Sequence, residues 1–157
     1  MSTAVAENEV ASAFDIAKSG GGILTFFIDS QIYGIEIQYI TDIIENQPTT
    51  LIPMIPSYIE GVINLRGKVI PVINVRDRFG KEKIEYDERT CIIVIEIEEI
   101  AVGLIIDRVS EVINATADQI TAPPDNKSIN SNRFIKNIVK EDDDIKLILD
   151  CHKLILE

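Results

Sequence analysis

The sequence predicts a mostly β protein made of two similar five-stranded barrels packed on each other. Three observations predict it. Ile and Val abound, aromatic residues make up 6% and Trp is absent, a mix that favours strands over helices. The apolar residues fall in short runs bounded by Gly, Pro, Asn and Asp, as strands bounded by turns do. The runs also repeat. Adding 69 to each number lays Ile23 on Ile92, Ile32–Ile37 on Ala101–Ile106 with Gly34 on Gly103, and Ile40–Ile44 on Val109–Ile113. Seven extra residues follow Pro123-Pro124, after which an offset of 76 lays Tyr58-Ile59 on Phe134-Ile135 and Val69–Val75 on Ile145–Cys151. A repeat that keeps apolar positions and a glycine, which reads as a turn glycine, implies two similar halves. An open five-stranded sheet leaves exposed edges, and closing each half into a barrel removes them. A barrel of about 60 residues is marginal alone, so the halves should share a core.

Taken in order, residues 1–22 form a flexible or weakly helical tail. Val5, Val10, Phe14 and Ile16 are scattered among Ala and acidic residues, and Ser19-Gly20-Gly21-Gly22 is a linker. It lacks the Lys-Ser/Thr of a phosphate-binding loop. The first barrel is expected over 23–85. Ile23–Ile28 is a strand, Asp29-Ser30-Gln31 a turn, Ile32–Ile37 the returning strand, Gln38–Ile40 a single turn and Asp42–Asn46 a third strand. Pro48, Pro53 and Pro56 punctuate the loop to a central hairpin, Tyr58–Gly80. Its turn is Arg66-Gly67-Lys68, where Gly67 supplies positive φ. Val69–Val75 returns, and Pro71 marks that strand as an edge or a bulge because it cannot donate to a ladder. Arg76–Phe79 reads as one helical turn with Gly80 past its end. Lys81–Glu88 is a charged connector, and the second barrel is expected over 86–157.

With 157 residues the chain suits one compact unit. Its net charge of −11 makes nucleic acid and anionic membrane surfaces poor partners. No apolar run reaches the roughly 18 residues of a transmembrane helix, and no signal peptide opens the chain. Cys91 and Cys151 sit in apolar runs and read as buried free thiols of a cytoplasmic protein. Chemistry is not indicated. His152 is the only histidine, and its neighbour Cys151 matches the core-type Val75, with adjacent strand residues facing opposite ways. Glu141–Asp144 lacks the spacing and central glycine of a calcium loop. No metal cluster, nucleophile elbow or cofactor cradle can be read, so an enzyme is not expected.

The halves differ at one turn. The first has Asn64-Leu65-Arg66-Gly67-Lys68 where the second has Lys140-Glu141-Asp142-Asp143-Asp144. Both need a turn; only the first carries an arginine, which points to function there. A long stem on apolar surface leaves the guanidinium seeking an acceptor, and Asp42, on the third strand of the same half, is the expected partner. The matching positions in the second half are Glu111 and Asp142, which would repel.

The run Gly61-Val62-Ile63-Asn64-Leu65-Arg66-Gly67-Lys68-Val69-Ile70-Pro71-Val72-Ile73-Asn74-Val75-Arg76 closely resembles the signature of the bacterial chemotaxis coupling (CheW) family. The likeness runs from about Ile23 to Ile155 and includes Tyr33-Gly34-Ile35-Glu36-Ile37 and Val102–Asp107. It implies two SH3-like barrels with a core between them. It also implies a cytoplasmic scaffold, recruited to membrane-associated arrays, that links chemoreceptor cytoplasmic tips to the regulatory domain of the histidine kinase CheA. Receptor helices would dock in a groove between the halves. Ile40, Ile43, Val62 and Val102 are the expected trough. Arg66, Asn64 and Asp42 are the expected polar anchors, with Gly61 and Gly67 in the same partner-binding stretch. Arginine suits an anchor because its planar fork binds two acceptors at once. Two other readings compete: an adaptor of the same module in a non-chemotactic kinase pathway, and a ligand binder or small enzyme with its site in the groove.

Overall fold

The computed structural model describes residues 22–122 and 133–156. The expected tail up to residue 21, and Pro123-Pro124 with most of the insertion, lie outside the described residues. The strands are β1 (Ile23–Ile28), β2 (Gln31–Glu36), β3 (Ile40–Glu45), β4 (Ile59–Leu65), β5 (Lys68–Asn74), β6 (Cys91–Ile97), β7 (Ile100–Ile106), β8 (Arg108–Ile113), the short β9 (Ile120–Thr121), β10 (Ile135–Glu141) and β11 (Asp144–Leu149). Single 3-10 turns fill Ile37–Tyr39 and Ala117–Gln119. One helical turn, α1 (Val75–Arg78), follows β5, and α2 (Cys151–Leu156) follows β11 at the corresponding place. The third strand thus starts at Ile40 rather than Asp42, and Val75 opens a helix rather than ending a strand.

The strands form two sheets. Sheet A has the order β8-β1-β2-β11-β10-β9 and sheet B the order β3-β6-β7-β5-β4. The offsets found in the sequence carry one sheet onto the other. Ile44↔Ile92, Ile43↔Ile93 and Ile40↔Ile95 in sheet B answer to Ile113↔Ile23, Val112↔Leu24 and Val109↔Phe26 in sheet A, with the same register shift. Val62↔Pro71 answers to Ile138↔Leu147, and Val72↔Gly103 to Gly34↔Ile148. Even the isolated bridge Thr50↔Val62 has its counterpart in Thr121↔Ile138.

The boundary expected at 85/86 does not separate the sheets. The hairpin β1–β2 belongs to sheet A with the second half's β8–β11, and the hairpin β6–β7 belongs to sheet B with β3–β5. Each half therefore donates its first hairpin to the other. Two parallel seams close the exchange, β2 against β11 and β5 against β7. Pairing two halves this way gives each hairpin a neighbour on both sides, which neither half could supply alone.

Burial follows the strand alternation. A large core between the sheets gathers Leu24, Phe26, Tyr33, Ile35, Ile93, Ile95, Leu104, Phe134, Leu149 and their neighbours. Two smaller cores lie on the other faces. Ile63, Ile70, Val72, Ile92, Val94 and Ile105 fill that of sheet B, and Ile23, Ile113, Val139 and Ile148 fill that of sheet A. Gly34 and Gly103 are not turn residues. They sit mid-strand on these small cores, where a Cβ would lie 2.7 Å from Ile23 Cγ2 and 2.8 Å from Ile92 Cγ2 respectively. The repeated glycine lets the small cores close.

Pro71 is on β5, an interior strand, so of the two expected settings the edge is wrong, and the hairpin's register shift falls beside Pro71, where Ile59 and Gly61 pair with Ile73 and Val72. Its missing N–H costs nothing for a local reason. Val62, opposite it, turns its own N–H and C=O to Thr50, at 2.9 Å each, so this is a pair that exchanges no ladder bonds. The parallel pairing with β7 begins one residue later, at Val72.

Candidate functional site

The β4–β5 hairpin closes in a two-residue turn in which Arg66 has φ 53° and Gly67 φ 86°. Both central residues of such a turn take positive φ because that twist matches the flanking strands. Glycine was legible there; a left-handed arginine was not. Asn64 braces the turn, its Oδ1 accepting from Gly67 N at 3.0 Å. Asn64 is thus partly committed to structure, although it remains exposed.

Arg66 reaches across the end of sheet B to the edge strand β3. Its Nη1 lies 2.9 Å from Asp42 Oδ2, the partner expected from the sequence. The Arg66 side chain is 78% exposed and that of Asp42 20%. No hydrogen bond among the described residues reaches Asp42 Oδ2, so the contact is a charge pair without an aligned N–H. Asp42 is held from the other side, its Oδ1 accepting from Ile43 N at 2.9 Å. An exposed pair of this kind adds no more than about 1 kcal/mol to stability. In the second half Glu111 meets a different cation. Lys146, buried at the position of Ile70, sets its Nζ 2.9 Å from Glu141 and 3.7 Å from Glu111.

The expected apolar trough is only half present at the surface. Ile43 and Val62 are half-buried. Ile40 is fully buried and Val102 is 4% exposed; both belong to the core between the sheets and offer nothing to a partner. Alternation explains this, since Ile40 and Val102 occupy inward positions opposite Ile95, on either side of it. Gly61 is buried too. A Cβ there would sit 2.6 Å from Thr50 O, so this glycine lets the loop before β4 lie against the strand.

A second constellation was not foreseen. Arg76, 5% exposed, stands at the start of α1. Its Nε donates to Asp107 Oδ1 at 2.9 Å and its Nη2 to Asp107 Oδ2 at 2.6 Å, a bidentate fork. Nη2 also contacts Asp29 Oδ1, and Nη1 donates to Glu82 O at 3.0 Å. Asp29 N in turn donates to Asp107 Oδ2 at 2.8 Å. The Asp107 hydrogen bond is the main reason the guanidinium is raised above its ordinary pKa. Burial pushes the Asp107 carboxyl up, but the bonds from Arg76 and Asp29 N outweigh it and hold it below the usual carboxylate range. Asp107 was among the scattered carboxylates of the sequence; nothing local tied it to an arginine 31 residues earlier. The tie is set by register, because Val72↔Gly103 and Asn74↔Ile105 continue to Arg76 beside Asp107.

A third arginine, Arg78, stacks 4.1 Å over the Tyr58 ring and 4.8 Å over that of Phe134. It donates to Leu154 O at 3.3 Å, fastening α2 to the first half. His152 makes an edge contact with the Tyr39 ring at 5.9 Å, and burial pushes the Cys151 thiol up, away from a reactive thiolate. Among the described residues no group of His, Cys, Asp and Glu could hold a metal ion, and no helix is long and apolar enough to cross a membrane.

Residues 22–157 match the family described as a CheW-like domain. Among curated relatives, the chemotaxis protein CheW of Thermotoga maritima is 35% identical over 137 residues, covering 86% of this chain and 87% of the relative. That of Bacillus subtilis is 32% identical over 138 residues, covering 88% of each. Among solved structures, the scaffolding protein TtCheW of Thermoanaerobacter tengcongensis superposes with a TM-score of 0.76 at 37% identity, over 83% of this chain and 88% of that one.

Proposed function

The chain belongs to the CheW-like domain family, and from that premise we propose that it is a chemotaxis scaffold coupling the cytoplasmic tips of chemoreceptors to the histidine kinase CheA. It works in the cytoplasm at membrane-associated receptor arrays and performs no chemistry of its own. The regulatory domain of CheA and the helical receptor tip are its two partners. The observation that carries this reading is the Arg66–Asp42 pair at the end of sheet B. It is made in one half only, and its arginine belongs to the stretch that resembles the coupling family's signature. The pair is too exposed to serve mainly as a stabiliser. It holds a planar, five-donor head group at an exposed turn, where two acceptors of a docking helix could be bound at once.

The test is a reconstituted assay with CheA and a receptor tip fragment. Kinase activation should need all three components. Arg66→Ala should leave the fold intact and weaken activation by about tenfold, the size of an interface anchor. Asp42→Ala should act in the same direction, and the double variant should lose less than the sum of the two. Wild-type activation by both single variants would overturn the role given to this turn. Nucleotide turnover that copurifies with the chain would overturn the scaffold reading itself.

A further inference from the structure

The two parallel seams that close the hairpin exchange are related by the repeat, yet their ends are built differently. At the β5–β7 seam the register runs through Asn74↔Ile105 to Arg76 and Asp107, a buried bidentate pair with Asp29 and Glu82 O as further acceptors. At the β2–β11 seam the register runs through Ile148↔Gly34 to Asp150 beside Glu36 and then His152 beside Gln38. Both residues at that step are acidic, and His152 and Gln38 cannot reproduce the fork. The charged tie at this end is Lys136 from β10, whose Nζ lies 3.0 Å from Glu36 Oε1, with side chains 41% and 27% exposed; the uncharged ties across the seam are the edge contact of His152 with the Tyr39 ring and, at the other end, Gln31 Nε2 donating to Ile145 O at 3.1 Å. Gln38 Nε2 adds a bond to Glu36 at 2.9 Å. Exposed pairs are weak and screened by salt, whereas a buried, multiply bonded guanidinium is neither.

We propose that the β2–β11 seam is the one that opens in the folded protein and that Lys136 is its latch, while the β5–β7 seam, clasped by Arg76, stays closed. The consequence is a division of labour between sheets. Sheet B, which carries Asp42 and Arg66, is held as a fixed surface, and sheet A takes up local opening. The inference rests on the seam geometry and does not need the proposed scaffold role.

Native-state hydrogen exchange on the full chain tests it. Amides that donate across the β2–β11 seam should exchange at least about tenfold faster than those that donate across the β5–β7 seam, because an exposed ion pair stands where the other seam has a buried, multiply bonded guanidinium. That ratio should widen as salt is raised from low to high concentration. Lys136→Met, at an exposed site that leaves the core untouched, should speed β11 exchange up to about fivefold and leave β5 unchanged. Equal protection of the two seams, faster exchange in β5, or a β11 rate indifferent to Lys136→Met would each overturn the proposal.

Discussion

A left-handed arginine is an uncommon choice for a turn. Non-glycine residues at positive φ cost about 1–2 kcal/mol in that region, and Asn or Gly would relieve it. At φ 53° Arg66 bears this cost while its exposed charge pair returns little. Arg66→Gly should therefore raise the melting temperature, by about 1 kcal/mol in stability, while the coupling assay loses activity; thermal melts beside that assay read the two effects in opposite directions. Arg76 behaves in the contrary way. Arg76→Met leaves the partly buried Asp107 without its bidentate partner, and chemical denaturation should show a loss of about 3 kcal/mol. The pH limb follows from Asp107, whose carboxyl is held below its ordinary range once folded. A carboxyl depressed in the native state stabilises above its unfolded pKa and loses that contribution as pH falls through the folded one. The contribution of Asp107 should thus be constant above about pH 5 and fall below about pH 4, and the Asp107→Asn variant should show a shallower acid limb. Tyr86 supplies the alkaline limb. Burial first, and then its bond to Glu60, raise its hydroxyl above the ordinary value, so the stability it contributes is complete below about pH 10 and declines above it. In Tyr86→Phe that alkaline decline should be reduced.

At the scale of the strands, three glycines act through contact rather than conformation. Gly103→Ala would bring a methyl 2.8 Å from Ile92 Cγ2 in the small core of sheet B, and an overpacked core of this kind costs about 1–3 kcal/mol. Gly34→Ala should do the same in sheet A. Gly61→Ala instead meets the backbone oxygen of Thr50 at 2.6 Å, which cannot rotate away. It should release the loop before β4, seen as faster proteolysis at Leu51–Met54 with the rest of the sheet protected. The positions of Gly34 and Gly103 were legible in the repeat, which laid one on the other, but their role was not. A glycine among turn residues reads as a turn, and only the fold shows it facing an isoleucine on a neighbouring strand. Pro71 misled for a similar reason. The missing donor was read correctly, but sequence cannot tell that Val62 turns its own bonding groups the other way, to Thr50. The Arg66–Asp42 pair was found because both residues lie in one half and the second half lacks a counterpart. Arg76 and Asp107 were not, since the half boundary falls between them.

Across the whole molecule, periodicity fixes which residues are strands and the repeat fixes that they come in two sets. Neither says which sheet a strand joins, so the crossing of the first hairpins stayed hidden. That crossing makes the halves inseparable. A chain cut at the connector near residue 85 should yield two pieces that are each unfolded, because each sheet then lacks a hairpin at its centre. Mixed or coexpressed, the pieces should recover the native circular dichroism spectrum and migrate as one species; an independently folded half would contradict the exchange. The same crossing bears on how the chain is made. Sheet B draws only on β3 to β7 and can be completed once Ile106 has left the ribosome. The hairpin β1–β2, translated before any of them, must wait for β11, whose last residue is Leu149. At translation speeds of about 5–20 residues per second that wait is roughly 5–20 s. For that time Leu24, Phe26 and Ile35 have no finished sheet to enter, and a hairpin made before the rest of its sheet is the part most exposed to capture by a chaperone or by a neighbouring nascent chain.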